Sequence, residues 1–205
     1  MAGRFITLEG GEGVGKSTQL KRLAEALRGR GVRLVETREP GGSPGAEAIR
    51  RLLLEGEAER WTPEAEALLF AAARADHVVR TIRPALDRGQ WVLCDRFLDS
   101  SIAYQGVAGE VGSEAIRALH RVGSHGFLPD RILLLELPEA AAAERMGGRG
   151  GPDRMEAKGP SYHRAVAAAF AALADEDPAR YRRIDAAGAA EKVTARLVAA
   201  LEDLL

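Results

Sequence analysis

The tightest constraint on what this chain can fold into is the pattern G-x-x-x-x-G-K-S at residues 10–17. Its flanks make it specific. Residues 5–8 (Phe-Ile-Thr-Leu) form the short apolar run of a buried strand. Residues 18–28 carry Leu20, Leu23, Ala24 and Leu27 at the i, i+3, i+4, i+7 spacing of one helix face. Strand, glycine loop and helix together are the context of a phosphate-binding loop. Glycines let the backbone turn so that successive N–H groups face phosphate oxygens, and the helix N-terminus adds partial positive charge. Lys16 can reach the β- and γ-phosphates, and the Ser17 hydroxyl can ligate Mg²⁺. The plain alternative, a glycine turn before a helix, does not explain both flanks.

The chain has 205 residues, 46% of them hydrophobic, enough for one domain over 1–205 with a small mobile insert. A net charge of −1 gives no basic field for nucleic acid. No apolar run approaches a membrane span and the start lacks a signal-peptide core, so a soluble cytoplasmic protein is expected. The single cysteine, Cys94, allows no internal disulfide.

Strands are expected at 32–37, 91–94, 132–137 and 181–184, each followed by a helical pattern. One long helix opens at Thr62-Pro63 and runs to about residue 88, with Pro84 a possible kink. A helix at 44–55 turns Ile49, Leu52 and Leu53 inward, and another at 113–121 is capped by Ser113. Alternating strands and helices imply a three-layer α/β fold of the P-loop NTPase type, a five-stranded parallel sheet flanked by helices. Residues 145–156, rich in glycine and carrying Arg145, Arg149 and Arg154, suit a mobile lid over phosphates; a solvated loop with surface arginines fits the composition equally well.

The phosphate loop does not choose among switches, motors and kinases. A guanine-reading Asn-Lys-x-Asp box is excluded, because the chain has no asparagine. The strand at 91–94 leads into Asp95-Arg96 where a motor would place Asp-Glu. Arginine cannot activate water but can bind a second phosphate, which points to transfer onto an acceptor that already carries phosphate. Arg38 and Arg96 both follow predicted strands, at the sheet edge where ligands bind in open α/β folds. Each could instead pair with a local carboxylate such as Glu39. Phe70 and Arg74 are four apart on one helix face and suit a planar base, one stacking and one donating hydrogen bonds. Spacing alone favours the plainer arrangement, Phe70 in the core and Arg74 in solvent. The four histidines lack zinc-site spacing.

At these residues the chain resembles the bacterial thymidylate kinases, enzymes that transfer phosphate from ATP to dTMP. The matching motifs are 5–10 running into the phosphate loop, Thr37-Arg38-Glu39-Pro40-Gly41-Gly42, Phe70-Ala71-Ala72-Ala73-Arg74, Asp95-Arg96-Phe97 and Ala103-Tyr104-Gln105-Gly106, with Pro129-Asp130, the lid and Ile184-Asp185-Ala186 beyond. They occur in family order over essentially the whole chain.

The resemblance implies that Gly10, Gly11, Glu12, Gly13, Val14, Gly15, Lys16, Ser17 and Thr18 hold the ATP phosphates. Arg145 and Asp185 would also belong to the ATP site, with Mg²⁺ at Ser17 and Asp95. It implies that Arg38 and Arg96 hold the dTMP phosphate, shaped by a Glu39-Pro40 turn whose proline can be cis. Phe70 would stack on thymine, Arg74 bond its carbonyl, Tyr104 crowd the sugar 2′ position, and Ser101 and Gln105 line the base pocket. Glu12 would sit near the acceptor 3′-hydroxyl. Because Gly13 occupies the phosphate-loop position that carries arginine in one design of the family, the catalytic arginine would come from the lid. Arg149 is the first expectation and Arg145 the second. Lys16, Arg96, Arg149 and Glu12 are thus the catalytic candidates, and a homodimer is the family habit.

Overall fold

All five strands end at an ionisable residue, and their register sets three of those ends side by side. The computed structural model describes residues 2–57, 59–147, 154–155 and 158–205. Strands β1 (Phe5–Glu9), β2 (Leu34–Arg38), β3 (Trp91–Asp95), β4 (Arg131–Glu136) and β5 (Tyr181–Asp185) form one parallel sheet in the order β2-β3-β1-β4-β5. Leu8 lies opposite Asp95, and Asp95 opposite Arg38. The glycine loop, the Asp95-Arg96 corner and the Arg38 turn therefore leave the same carboxyl edge, where open α/β sheets bind ligands.

Each central strand is buried on both faces, with alternate residues feeding two cores. Phe5, Val92, Cys94, Ile132 and Leu134 pack with helices α3 (Pro63–His77), α6 (Ser113–Ser124) and α8 (Pro160–Glu176). Ile6, Leu8, Leu93, Leu133 and Leu135 pack with α1 (Lys16–Gly29) and α9 (Ala190–Ala199). The three-layer architecture is the one expected from the alternation of elements.

Local chemistry moved several boundaries. Helix α1 begins at Lys16, two residues earlier than its apolar stripe suggests, because Gly15 at φ 93° takes the left-handed cap position. Its far end is closed by left-handed Gly31, whose N–H reaches Arg28 O while Val32 N–H reaches Leu27 O. Thr62 does cap α3, and its hydroxyl accepts from Ala65 N–H. The expected single helix to residue 88 is instead α3, a wide π-helical turn (Val78–Ile82) and α4 (Arg83–Asp87). Pro84 has no N–H for the Arg80 carbonyl and its ring crowds that turn, so the helix widens just before it. Ser113 is the first helical residue of α6 rather than its cap, with Gly112 at the cap position. In α2 (Pro44–Leu54) only Ala46 and Leu53 are buried, seven apart on one stripe; Leu52, expected inward, is 40% exposed.

Candidate active site

The loop of residues 10–15 is built from backbone conformations that only glycine takes easily. Gly10, Gly13 and Gly15 have φ of 137°, 73° and 93°. At Gly10 a Cβ would stand 2.5 Å from the Leu135 carbonyl oxygen, so β4 passes too close for any side chain. The loop delivers the chain to the N-terminus of α1, whose first turn carries no acidic residue and whose first N–H groups have no intrahelical acceptor. The Val14 side chain is committed to the core, so this residue can offer only its backbone. Lys16 is buried and donates to the carbonyls of Gly10 (3.0 Å) and Gly11 (2.6 Å). Burial and the Arg96 charge beside it lower its pKa to about 8, against the pull of Glu12, Asp95 and Glu9. Lys16 therefore loses its proton as pH rises through about 8, and any phosphate affinity it supplies falls with it. The expected result is an alkaline fall in kcat/KM for ATP near that pH, with kcat persisting higher because bound phosphates retain the proton. A kcat/KM flat to pH ~10 would exclude this role for the lysine charge.

Beside the loop opens a cleft of ≈ 320 Å³, bordered by Lys16, Arg38, Phe70, Arg74, Arg96 and Tyr104. Arg96 crosses it. One guanidinium nitrogen donates to Gly10 O and the Ser100 hydroxyl, both at 3.1 Å; the other donates to Glu12 (2.6 Å) and the Tyr104 hydroxyl (3.1 Å). The guanidinium also lies over the Tyr104 ring, 4.8 Å from its centre. Burial alone would raise the Glu12 carboxyl, but Arg96 and Lys16 hold it at about 2, so it stays a carboxylate. Burial pushes the Tyr104 phenol well above its usual range, so it stays protonated and donates to Glu12 (2.8 Å). Tyr104 and Gln105 belong to a π-helical segment (Ile102–Ala108) that continues the short helix α5 (Leu98–Ser101). Wide turns of this kind concentrate at functional sites, because they re-aim side chains that a regular helix would place elsewhere.

The cleft floor is a buried polar network on α3. Arg74, 2% exposed, donates to Glu39 (2.8 Å), the Phe97 carbonyl (3.1 Å) and the Ser101 hydroxyl (2.7 Å). His77 Nδ1 meets the other Glu39 oxygen at 2.9 Å, and its Nε2 meets the Thr37 hydroxyl at 2.7 Å. A carboxylate facing Nδ1 fixes the tautomer with the proton there, leaving Nε2 to accept from Thr37. Burial would raise the Glu39 carboxyl, but Arg74 and His77 outweigh it and hold it low. The Glu39-Pro40 peptide is cis, as the resemblance allows.

These motifs also identify the chain by comparison. The family model described as "Thymidylate kinase" matches residues 8–197. This chain belongs to the thymidylate kinase family. It is 64% identical over 207 residues to the thymidylate kinase of Rhizorhabdus wittichii, with all of both chains covered. It is 49% identical over 195 residues to that of Caulobacter vibrioides, covering 95% of this chain and 94% of the relative. Among solved structures it is similar to the thymidylate kinase of Ehrlichia chaffeensis, 30% identical with a TM-score of 0.79, covering 98% of this chain and all of that one.

Against the thymidylate kinase expectations, most of the named residues converge. Phe70 and Arg74 reverse the arrangement that spacing alone favours, since Arg74 is buried and Phe70 borders the cleft partly exposed. Arg38 lines the same cleft but pairs with Glu47 at 3.0 Å, not with its neighbour Glu39. Arg145, on α7 (Glu139–Gly147), donates to the Ala186 carbonyl at 3.3 Å and passes beside Gly15, bridging the phosphate loop and the loop after β5. The Asp185 side chain turns away, to Ala187 N–H (2.9 Å) and Arg196 (3.2 Å). Arg149 lies outside the described residues.

Arg154 corrects both readings offered for it, surface residue and free lid cation. It is buried, ion-paired to Glu66 of α3, and donates to the Leu53 carbonyl at 2.7 Å. Gln105 (3.0 Å) and Lys158 (3.2 Å) donate to the same Glu66 carboxylate. The sequence held one signal for what was missed. Glu66, Phe70, Arg74 and His77 fall at i, i+4, i+8, i+11, so three ionisable residues sit along a face that a purely structural helix would give to the core.

Proposed function

We propose that the chain transfers the γ-phosphoryl group of ATP to dTMP, giving dTDP, with Mg²⁺ required. One observation carries this beyond family membership. A partly exposed aromatic ring and a buried arginine border the same cleft as Lys16 and Arg96, which joins a platform for a planar base to two phosphate-binding cations. The phosphate-loop amides and Lys16 hold the donor phosphates, with Arg145 toward the nucleoside. Arg96 and Arg38 hold the acceptor phosphate, Phe70 stacks on thymine, and Arg74, Ser101 and Gln105 define the base edge. Tyr104 stands at the sugar, and Glu12 fixes Arg96 while offering an acceptor to the 3′-hydroxyl. Transfer between two anionic phosphates is mostly positioning and charge neutralisation, so no strong general base is needed. Arg149 is assigned to the phosphoryl group in flight on the resemblance.

The residues present fit Mg²⁺. The Ser17 hydroxyl donates to one Asp95 oxygen at 2.7 Å, while the other Asp95 oxygen is buried without a hydrogen-bond partner. Hydroxyl and carboxylate oxygens are the hard donors Mg²⁺ prefers, and the ion would neutralise charge between the β- and γ-phosphates.

The direct test is ADP release with ATP and Mg²⁺ against dTMP, dUMP, dCMP, UMP, GMP and no acceptor. Turnover strongest with dTMP is expected. Preference for another acceptor would discard the Phe70–Arg74 assignment, and acceptor-independent turnover would discard the kinase itself.

A homodimer in the cytoplasm completes the proposal. Leu68 of α3 and Val79 of the π-helical turn that follows it are more than half exposed, and Val122 of α6 is 81% exposed. An apolar face of this kind suits a self-complementary contact. No helix among the described residues is long and apolar enough to cross a membrane. Light scattering is expected to give twice the 21.9 kDa chain mass. Leu68→Glu should shift the protein toward one chain mass, and an unshifted dimer would place the contact elsewhere.

A further inference from the structure

Glu9 has no part in the scheme above, yet it is the most buried carboxyl group beneath the cleft, with 0% exposure. It ends β1, one residue before the glycine loop, where an apolar residue would be the ordinary choice. Both of its oxygens are committed to the corner that carries Arg96. Oε1 accepts from the Phe97 N–H at 2.8 Å, and Oε2 meets the Ser100 hydroxyl at 2.6 Å. The Ser100 oxygen in turn accepts from Arg96.

Arg96 itself has φ 71°, a left-handed conformation that non-glycine residues rarely adopt and that persists only where the surroundings enforce it. Two backbone contacts enforce it. Arg96 N–H bonds the Leu8 carbonyl of β1 at 3.0 Å, and the next N–H along the chain, that of Phe97, bonds Glu9. Two successive peptide groups on either side of the strained residue are thus pinned to two successive residues of β1.

We propose that Glu9 is a positioning residue for acceptor recognition: by holding the Phe97 N–H and the Ser100 hydroxyl, it locks Arg96 in the left-handed corner that aims its guanidinium across the cleft. The proposal rests on Arg96 binding the acceptor phosphate. Burial and the nearby Asp99 carboxyl push the Glu9 pKa up, to about 8, with Ser100, Arg96 and Phe97 opposing. A neutral carboxamide is therefore a close stand-in near neutral pH. Glutamine can still accept from Phe97 N–H through Oε1 and donate to Ser100 through its nitrogen.

The test is a double-mutant cycle on the full chain, read as kcat/KM for dTMP at saturating ATP, with the Kd for ATP and the melting temperature measured alongside. Glu9→Ala is expected to lower kcat/KM by ~10-fold or more, the scale of one lost charge-assisted hydrogen bond at Arg96. Its ATP Kd should move less than ~2-fold, and Glu9→Gln should recover activity to within ~3-fold of the native enzyme. In the Arg96→Ala background, Glu9→Ala should cost under ~2-fold more, because the group it positions is gone. Ser100→Ala, which removes only the link between Glu9 and Arg96, should repeat this pattern more weakly and serves where Glu9→Ala does not fold. An equal loss in both backgrounds, or none in either, overturns the inference. If Arg96→Ala alone turns over dTMP normally, the role of Arg96 is what fails.

Discussion

Replacing Arg96 with alanine is expected to lower kcat/KM for dTMP by at least ~10²-fold, the cost of removing a preorganised donor from a transition state. The guanidinium makes four hydrogen bonds, and its charge is balanced chiefly by Glu12, with which it forms a largely buried pair. Burial works against its charge, but Glu12 and the other carboxyls nearby raise its pKa further, so it is a fixed cation at every working pH. The loss has two components. Acceptor phosphate binding is weakened, which raises KM for dTMP. Glu12 loses its main counter-ion, so whatever charge it keeps beside Lys16 adds repulsion against both phosphates, which lowers kcat. Arg96→Lys should recover only part, because an ammonium cannot span Gly10, Ser100, Glu12 and Tyr104 at once. Steady-state kinetics in both substrates decide the matter. A variant within ~3-fold of the native enzyme would remove Arg96 from the machinery.

The carboxyl-edge placement of this site was legible because it follows from strand register. Once 5–8 and 91–94 are recognised as neighbouring parallel strands, Asp95-Arg96 must lie beside the glycine loop, whatever the side chains do. The two faces of α3 were not legible, because helical periodicity alone does not distinguish a buried polar stripe from an exposed one. Arg74 looked like a solvated arginine until Glu39, thirty-five residues away, was seen to meet it. The partners of Glu9 and Glu66 were illegible for the same reason: Phe97 and Arg154 are each eighty-eight residues distant. The π-helical turns at Val78–Ile82 and Ile102–Ala108 leave no period in the sequence, although Pro84 announced the first of them. Where the ends of elements lie could be read from order alone, whereas the partners that long-range hydrogen bonds bring to them could not.

The second large effect is on stability as well as specificity. Arg74→Ala is expected to destabilise the protein by ~3–5 kcal/mol, the usual cost of breaking a buried ion pair from one side. Both partners are almost sealed from water, with side chains 3% and 4% exposed. Removing Arg74 leaves the Glu39 carboxylate with His77 alone, and also frees the Phe97 carbonyl and the Ser101 hydroxyl it satisfied. At this chain length the loss corresponds to a melting temperature lower by roughly 10 °C. The signature of the mechanism is compensation. Adding Glu39→Gln to Arg74→Ala removes the stranded charge and should return a measurable part of the lost stability, even though two native side chains are now missing. Dependence on pH separates the cases. In the native protein Glu39 is held low, so its contribution is present above the ordinary carboxyl range and fades as pH falls through its depressed folded value. In Arg74→Ala the largest lowering influence is gone while burial still raises the carboxyl, so this acid loss should shrink, and the deficit against the native protein should narrow as pH falls and Glu39 is neutralised. The surviving fraction of folded enzyme should also discriminate dTMP from dCMP less well, because the base edge has lost its fixed donor. A stable Arg74→Ala protein with unchanged acceptor preference would contradict both parts, since the same guanidinium is assigned to the core and to the base.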